Sequence, residues 1–347
     1  MHSSTDLLRD FWYVAAHGSQ ILRAGMRPVT LLGEQILLIR ANDGTVSALR
    51  DFCPHRGIPL RHGTFNGCEV ECCYHGWRFN TAGTCTSIPS MVDDKTDLTK
   101  IKIGNYPCVE KDGLIWIFMA ADAKSAAPET APPDMPVTIH GGFKRVDSLH
   151  FPCLIDHAVI GLMDPAHGPF VHRSWWWRTK RSIHTKQKQF APTARGFRMV
   201  SHTPSSNSRA YKILGGTPVT QIEFQLPGLR TEHITIGNHH VVLLTALTPT
   251  DQKNTVLHQF MYTTIPLLNW LRPLLLPFGK AFLQQDLNIV KKQQEGLANS
   301  AQPLLLLGDA DAQALWYYRL KKEALAASSD GRAFENPLRE KILRWRS

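Results

Sequence analysis

Cys53-Pro54-His55 is followed by sixteen residues and then by Cys72-Cys73-Tyr74-His75. A C-x-H pair and a C-x-x-H pair on two separate loops can hold a binuclear iron–sulfur group. The thiolates of Cys53 and Cys72 would bind one iron, and the neutral imidazoles of His55 and His75 the other. Exchanging two thiolates for two imidazoles removes negative charge and raises the reduction potential above that of an all-cysteine cluster. The same four side chains also satisfy a tetrahedral zinc ion, and spacing does not separate the two. Cys72, not Cys73, leaves the two-residue gap to His75. Cys68, Cys85, Cys108 and Cys153 read as small buried residues.

A second constellation is Asp164-Pro165-Ala166-His167-Gly168-Pro169-Phe170-Val171-His172, a D-x-x-H-x-x-x-x-H pattern. Fe(II) that activates O₂ takes two histidines and one carboxylate on one face, leaving positions open. On an unbroken helix, residues five apart would point about 140° away from each other. Gly168-Pro169 interrupts the helix and lets the second ring swing round. Taken alone, the pair reads equally as two satisfied or surface histidines. The distant carboxylate is expected to be Asp286. On a helix Phe282, Asp286, Ile289, Val290 and Gln293 share a face, and a carboxylate in an apolar stripe is costly unless paired or metal-bound. A boundary or solvated aspartate is the plainer alternative, and Asp309, Asp311 and Glu295 are weaker candidates for the ligand.

The elements that must position these groups fall into two parts. Val29–Leu32 and Gln35–Arg40 flank Gly33-Glu34 as a hairpin. Asn42-Asp43-Gly44 leads into Val46–Arg50, and Leu114–Phe118 is a further apolar strand. Residues 1–120 therefore read as a small all-β domain. Residues 121–136, with Pro128, Pro132, Pro133 and Pro136, read as an extended linker. Residues 137–347 read as a second, mixed domain. Its antiparallel strands are expected over Gln221–Gln225, His233–Ile236, His240–Leu247 and Thr255–Thr264, with a helix from about Phe278 to Leu297. The Leu338–Ser347 tail is expected as one or two turns of basic amphipathic helix. The greasy run Ile265–Phe278 contains Pro266, Pro273, Pro277 and Arg272. It is too short and broken to span a bilayer, which leaves core, lid or membrane-surface patch. Trp175, Trp176 and Trp177 read as core, subunit-interface or pocket-lining residues.

The chain has 347 residues, 43% hydrophobic and 20% charged, ordinary for a globular protein of two domains. The net charge of +10 favours acidic partners, and Arg173–Arg198 holds eight basic residues and no acidic one, a docking patch or simply a solvated face. No nucleic-acid motif is present. The opening residues lack the basic-then-apolar pattern of a secretory signal. The odd count of seven cysteines, four of them clustered between residues 53 and 73 beside histidines, argues for metal over disulfides. A cytoplasmic location follows as the expectation.

Cys53-Pro54-His55-Arg56-Gly57 and Cys72-Cys73-Tyr74-His75-Gly76-Trp77 resemble the Rieske motif of ring-hydroxylating oxygenases and related demethylases. Asp10-Phe11-Trp12-Tyr13-Val14 is similar to the family's first strand, and the D-x-x-H-x-x-x-x-H pattern to its iron motif. The resemblance implies an α+β chain: an N-terminal all-β Rieske domain, then a helix-grip catalytic domain in which an antiparallel sheet curves round a long C-terminal helix. It implies a [2Fe–2S] Rieske cluster on Cys53, His55, Cys72 and His75, and mononuclear Fe(II) on His167, His172 and Asp286. It makes Asp164 the carboxylate that joins His75 of one subunit to His167 of the next in a homotrimer; a helix N-terminal aspartate is the alternative. Many relatives have Asn three or four residues before this aspartate, where this chain has Gly161 and Ile160. The implied activity is hydroxylation of an organic, hydrophobic (aromatic or polycyclic) substrate with O₂, or demethylation of an O-, N- or C-methyl group by the same chemistry. Electrons would come from a separate ferredoxin or flavin reductase, since the chain has no G-x-G-x-x-G fingerprint. A Rieske electron carrier without oxygenase activity, a helix-grip lipid-binding module and a zinc protein are the rival readings.

Overall fold

The computed structural model describes residues 6–92, 95–121, 128, 130–172, 183–203, 217–300, 302 and 304–347. Trp175–Trp177 and residues 173–182 of the basic stretch lie outside them. Backbone contacts divide the chain into residues 9–143 and residues 144–347, the latter with the first eight residues.

The N-terminal unit is built from β1 (Phe11–His17), β2 (Gly25–Leu31), β3 (Glu34–Arg40), β4 (Val46–Arg50), β5 (Thr64–Phe65), β6 (Glu69–Glu71), β7 (Arg78–Asn80), β8 (Cys85–Ser87), β9 (Asn105–Tyr106), β10 (Cys108–Lys111) and β11 (Leu114–Met119). They form three antiparallel sheets in the orders β1-β11-β10, β2-β3-β4-β9 and β5-β6-β7-β8. The β2–β3 hairpin pairs Leu31 with Glu34. Its turn residues are Leu32 and Gly33, at φ 51° and 82°, one position before the expected Gly33-Glu34. Two successive positive φ values match the twist of the flanking strands. Leu37, Ile39, Leu49, Leu60, Val70 and Phe79 form the buried core between two of the sheets, and Cys53, Cys72 and Cys85 belong to it. Part of the segment expected as a linker is tied to this unit. Trp12 Nε1 donates to Thr130 O at 2.6 Å, and Lys111 Nζ to Pro132 O at 3.0 Å and Asp134 Oδ1 at 2.6 Å.

The second unit is an eight-stranded antiparallel sheet with helices. Its elements are β12 (Lys144–Phe151), α1 (Ile155–Met163), α2 (Gly168–Val171), β13 (Thr185–Thr193), β14 (Gly196–His202), β15 (Val219–Gln225), β16 (Leu229–Ile236), β17 (His239–Pro249), β18 (Thr255–Thr263), α3 (Pro266–Ala298), α4 (Ala312–Asp330) and β19 (Lys341–Arg346). The strand order is β12-β18-β17-β16-β15-β14-β13-β19.

Two expectations are corrected. The helix α3 begins at Pro266, so the greasy run is helical. Pro266 occupies the first turn, where a missing N–H costs nothing. Pro273 and Pro277 are one turn apart and exposed, so water can solvate the carbonyls they leave without donors. The tail is a strand, not a helix. Trp345 and Leu343 alternate inward with period two, and β19 pairs with β13 from Thr185↔Arg346 to Phe190↔Lys341. The sheet edge supplies hydrogen bonds that an isolated six-residue helix could not match.

The helix α3 packs on β12 and β18 and against α1 and α2. It docks through Leu283, Leu287 and Val290, all buried at helical spacing, each worth about 1.5–3 kcal/mol of apolar transfer. Helix α4 covers the other end of the sheet. Trp316 meets Phe190 and Phe197 edge-on, and Tyr317 meets Phe224.

Candidate metal centres

In the N-terminal unit the two ligand-bearing loops repeat one geometry. Cys53 N donates to Ile58 O at 2.8 Å and Gly57 N to Cys53 O at 2.9 Å. Cys72 N donates to Trp77 O at 2.9 Å and Gly76 N to Cys72 O at 3.0 Å. Gly57 and Gly76 sit at φ 75° and 71°, a conformation a side chain would strain. Each loop thus presents a cysteine inward and a histidine two or three residues later near its tip.

Cys53 and Cys72 are buried, whereas Cys73 is exposed. The His55 and His75 rings lie 4.4 Å apart between centroids, and His55 stacks on Trp77 at 4.7 Å with an interplanar angle of 9°. Burial, with the neighbouring Cys72 thiol adding to it, pushes the Cys53 thiol up to about 11. Burial, then the nearby His75 and Arg56, holds His55 below its ordinary value, which favours its neutral form. A single tetrahedral ion would draw all four donor atoms within a few ångströms of one another. Among the described residues the one set of three or more His, Cys, Asp or Glu ligand atoms lying within 4.8 Å is elsewhere. The four residues therefore suit a larger, two-ended group: buried thiols at one end, imidazoles at the other. Trp77 Nε1, beside them, is a buried donor without an acceptor among the described residues, consistent with room for a group bearing acceptor atoms.

In the second unit that set is His167, His172 and Asp286. Helix α1 ends at Met163, and Asp164, its C-cap residue, has Oδ1 accepting from Ala166 N at 2.7 Å. His167 precedes the four-residue α2 and His172 follows it. This short helix places the two rings 5.1 Å apart between centroids. Asp286 comes from α3, one turn beyond Phe282, whose ring stacks on His172 at 3.6 Å and 11°.

The hydrogen bonds fix the ring nitrogens. His167 Nδ1 donates to Asp164 O at 2.8 Å, and His172 Nδ1 to Gln285 Oε1 at 2.9 Å. Both Nε2 atoms are thereby left as lone-pair acceptors. They face each other at 3.1 Å, and Asp286 Oδ1 stands 3.1 Å from His172 Nε2 and 3.8 Å from His167 Nε2. Three acceptors converge with no donor between them, an arrangement that a cation resolves. A triangle with these sides has its corners about 2 Å from a common centre, the length of an imidazole–divalent-metal bond.

Helix α1 is anchored by a buried pair. Lys321 Nζ of α4 reaches Asp156 Oδ1 at 2.7 Å and Oδ2 at 2.9 Å, and Tyr317 Oη donates to Oδ1 at 2.7 Å. The triad opens onto a cavity of about 750 Å³, lined by apolar groups such as Phe151, Ile160, Met199, Leu257 and Ile289. Phe282, Asp286, Ile289, Val290 and Gln293, the helical face expected to be shared, all line it. His157 lies in the same wall. Burial holds it below its ordinary value, and Gln294 Nε2 donates to its Nδ1 at 3.1 Å. Gln285, His157 and the Asp156–Lys321–Tyr317 group carry no local sequence signal. Gln285 is one residue from Asp286, and only the helix geometry shows that it reaches His172.

Comparison with known proteins places this architecture. The Rieske [2Fe-2S] domain family matches residues 11–107. The chain is 28% identical to the chloroplastic chlorophyllide a oxygenase of Arabidopsis thaliana, over 85% of this chain and 53% of that protein. It is 29% identical to the 4beta-methylsterol monooxygenase of Methylococcus capsulatus, over 76% and 72%. The crystal structure of dicamba monooxygenase bound to dicamba superposes with a TM-score of 0.74 at 22% identity, covering 94% of this chain and 100% of that one. The fold is that of the Rieske oxygenases. Residues 11–107 are a Rieske [2Fe-2S] domain, and the whole chain is similar in sequence and fold to Rieske non-haem iron oxygenases. It spans a little over half the length of the chlorophyllide oxygenases of Arabidopsis and rice that it matches, 53% and 59%.

Proposed function

We propose that this chain is the terminal oxygenase of an electron-transfer system that hydroxylates a hydrophobic, aromatic or polycyclic substrate with O₂. Cys53, His55, Cys72 and His75 hold the [2Fe–2S] cluster, and His167, His172 and Asp286 hold the mononuclear Fe(II). The observation that carries the reading is the convergence of two Nε2 lone pairs and one carboxylate oxygen at the mouth of a largely apolar cavity of about 750 Å³, within the usual range for small-molecule sites. When bound, the cluster supplies single electrons and the iron activates O₂ for insertion into a C–H bond.

The chain's own residues do the positioning. Asp164 O and Gln285 Oε1 hold the two imidazoles in the metal-binding tautomer. Phe282 fixes the His172 ring plane, and the apolar walls exclude water from the reacting carbon. Asp164 is the proposed bridge to His75 of a neighbouring copy in a homotrimer. Its Oδ2 lies 3.7 Å from His167 Nδ1 and its side chain is 37% exposed, so a second copy can reach it. The reductant is a separate ferredoxin or flavin reductase.

Demethylation is the second reading, because hydroxylating a methyl carbon on O or N releases it. It is favoured by the fold shared with dicamba monooxygenase and by 33% identity over 168 residues to the oxygenase component of dicamba O-demethylase. Among the described residues no helix is long and apolar enough to cross a membrane. All seven cysteines are free, in keeping with the proposed cytoplasmic setting. The test is a substrate screen with a surrogate reductase, scored by O₂ uptake and product mass. Gain of one oxygen, gain of two, or loss of a methyl carbon selects the branch. Zinc in place of iron–sulfur, or no O₂ uptake coupled to reductant with any substrate, overturns the proposal.

A further inference from the structure

The cavity has two chemically unlike walls. The helical wall carries the triad. The sheet wall carries charge: Lys186 and Lys188 on β13, His202 at the end of β14, and Arg230 and Glu232 on β16 all line the same space. Lys186 and Lys188 lie two residues apart on the strand face that also bears the buried Phe190, so period-two geometry turns both towards the interior.

The partners of these groups are uneven. Arg230 Nη2 and Glu232 Oε2 pair at 3.1 Å. Lys186 Nζ donates to Ser347 Oγ at 2.8 Å. Asp311, also in the lining, accepts from Leu307 N at 2.7 Å. Asp286 faces His172 and Asp164 faces His167. Lys188 has neither a carboxylate nor a hydrogen-bond acceptor as a partner among the described residues. We propose that Lys188, flanked by Lys186 and His202, is the subsite that receives a carboxylate group of the substrate, so that the substrate is an amphipathic acid with its apolar body towards the triad. This deepens the oxygenase reading and rests on it.

Two further observations agree. Burial alone holds the Lys188 ammonium below its ordinary value, so its charge is short of solvation that an incoming anion restores. After burial, the charge of Lys188 is the largest influence on His202 and holds it towards its neutral form; the Val200 carbonyl and Glu232 pull the other way, and Lys186 adds the smallest push in the direction of Lys188. A lining cation that has no partner among the described residues discriminates for a ligand that brings a negative charge, because a neutral isostere leaves the cation unpaired.

The test is equilibrium binding of 2-naphthoate and of 2-naphthamide, its neutral isostere, followed by ligand fluorescence. It uses the full chain carrying Asp286→Ala, so that the result does not depend on iron, O₂ or turnover. The acid is expected to bind about tenfold or more tightly than the amide, the scale of a charge-assisted hydrogen bond. Lys188→Gln is expected to remove the preference while leaving amide binding unchanged, which also reports that the cavity is intact. Lys188→Arg is expected to keep the preference. Equal affinities in the parent chain, no saturable binding of the acid, or a preference that survives Lys188→Gln overturns the subsite. Failure of O₂ uptake with every substrate bears on the oxygenase reading and leaves this result standing.

Discussion

Gln285→Leu is the sharpest probe of the proposed iron site, since it leaves all three proposed ligands in place. His172 is 2% exposed, and its Nδ1–H is satisfied by Gln285 Oε1 at 2.9 Å. Leucine has similar bulk and no acceptor. The buried N–H then loses its partner, at a cost of about 1–3 kcal/mol. The imidazole can escape that cost by moving its proton to Nε2, the atom aimed at Asp286 Oδ1 3.1 Å away, which removes the lone pair a metal needs. Either route weakens metal binding, by about 5- to 150-fold at 1.4 kcal/mol per decade, in line with the roughly 10- to 100-fold usual for partners of ligating histidines. Gln285→Glu keeps the acceptor and is expected to hold iron at least as well as the parent. The assay is Fe(II) retention after equilibrium dialysis against a graded chelator. Electron paramagnetic resonance of the reduced protein serves as an internal control, because the cluster residues lie in the other unit. Parent-like iron affinity in Gln285→Leu would refute the claim that this hydrogen bond sets the tautomer of His172.

Further outcomes follow from the same geometry. Asp286→Ala is expected to keep the reduced-cluster signal and lose the mononuclear iron, read by iron-to-protein ratio; full iron occupancy would move the third ligand elsewhere. Cys72→Ser is expected to abolish the cluster absorbance and Cys73→Ser to leave it unchanged, because Cys72 sits in the core and Cys73 is exposed. Lys321→Met leaves Asp156 buried without its counter-ion and is expected to cost about 3–5 kcal/mol in urea unfolding of the second unit; a loss below 1 kcal/mol, about the worth of a surface pair, would argue against a buried pair. Asp309 is held below the usual carboxylate range by the Lys341 ammonium and the Arg344 N–H. A depressed pKa contributes stability above the unfolded value of about 3.9 that is lost as pH falls towards the folded value. The stability gap between the parent and Asp309→Asn is therefore expected to shrink from pH 7 to pH 3; a gap independent of pH would contradict the pairing.

Local chemistry is legible in the chain wherever donor types recur at short spacing. The two cysteine–histidine loops and the His167–His172 pair are of this kind, because ligands a few residues apart on a turn or an interrupted helix meet whatever the rest of the fold does. Alternating or continuous apolar runs likewise announced β4, β11 and the strands from β15 to β18. Asp286 could be singled out as a carboxylate in an apolar stripe, but its meeting with His167 and His172 depends on how α3 docks on β12. The proline-bearing start of α3 and the terminal strand β19 were misread for one reason. In each, tertiary context overrode local preference: solvated carbonyls tolerated the prolines, and an open sheet edge captured the tail.

The charged wall of the cavity belongs wholly to the tertiary structure. Lys186 and Lys188 lie in a basic stretch that reads equally well as a solvated face. Strand alternation puts these two on one face of β13, and only the pairing of β13 within the sheet sets that face against the space where His202, Arg230 and the triad also meet. Sequence order carries no information about that meeting, because it is made by strand pairing between segments far apart in the chain. Residue identity determined which chemistry is available; the packing of one sheet against α3 and α4 decided which of those groups share a cavity.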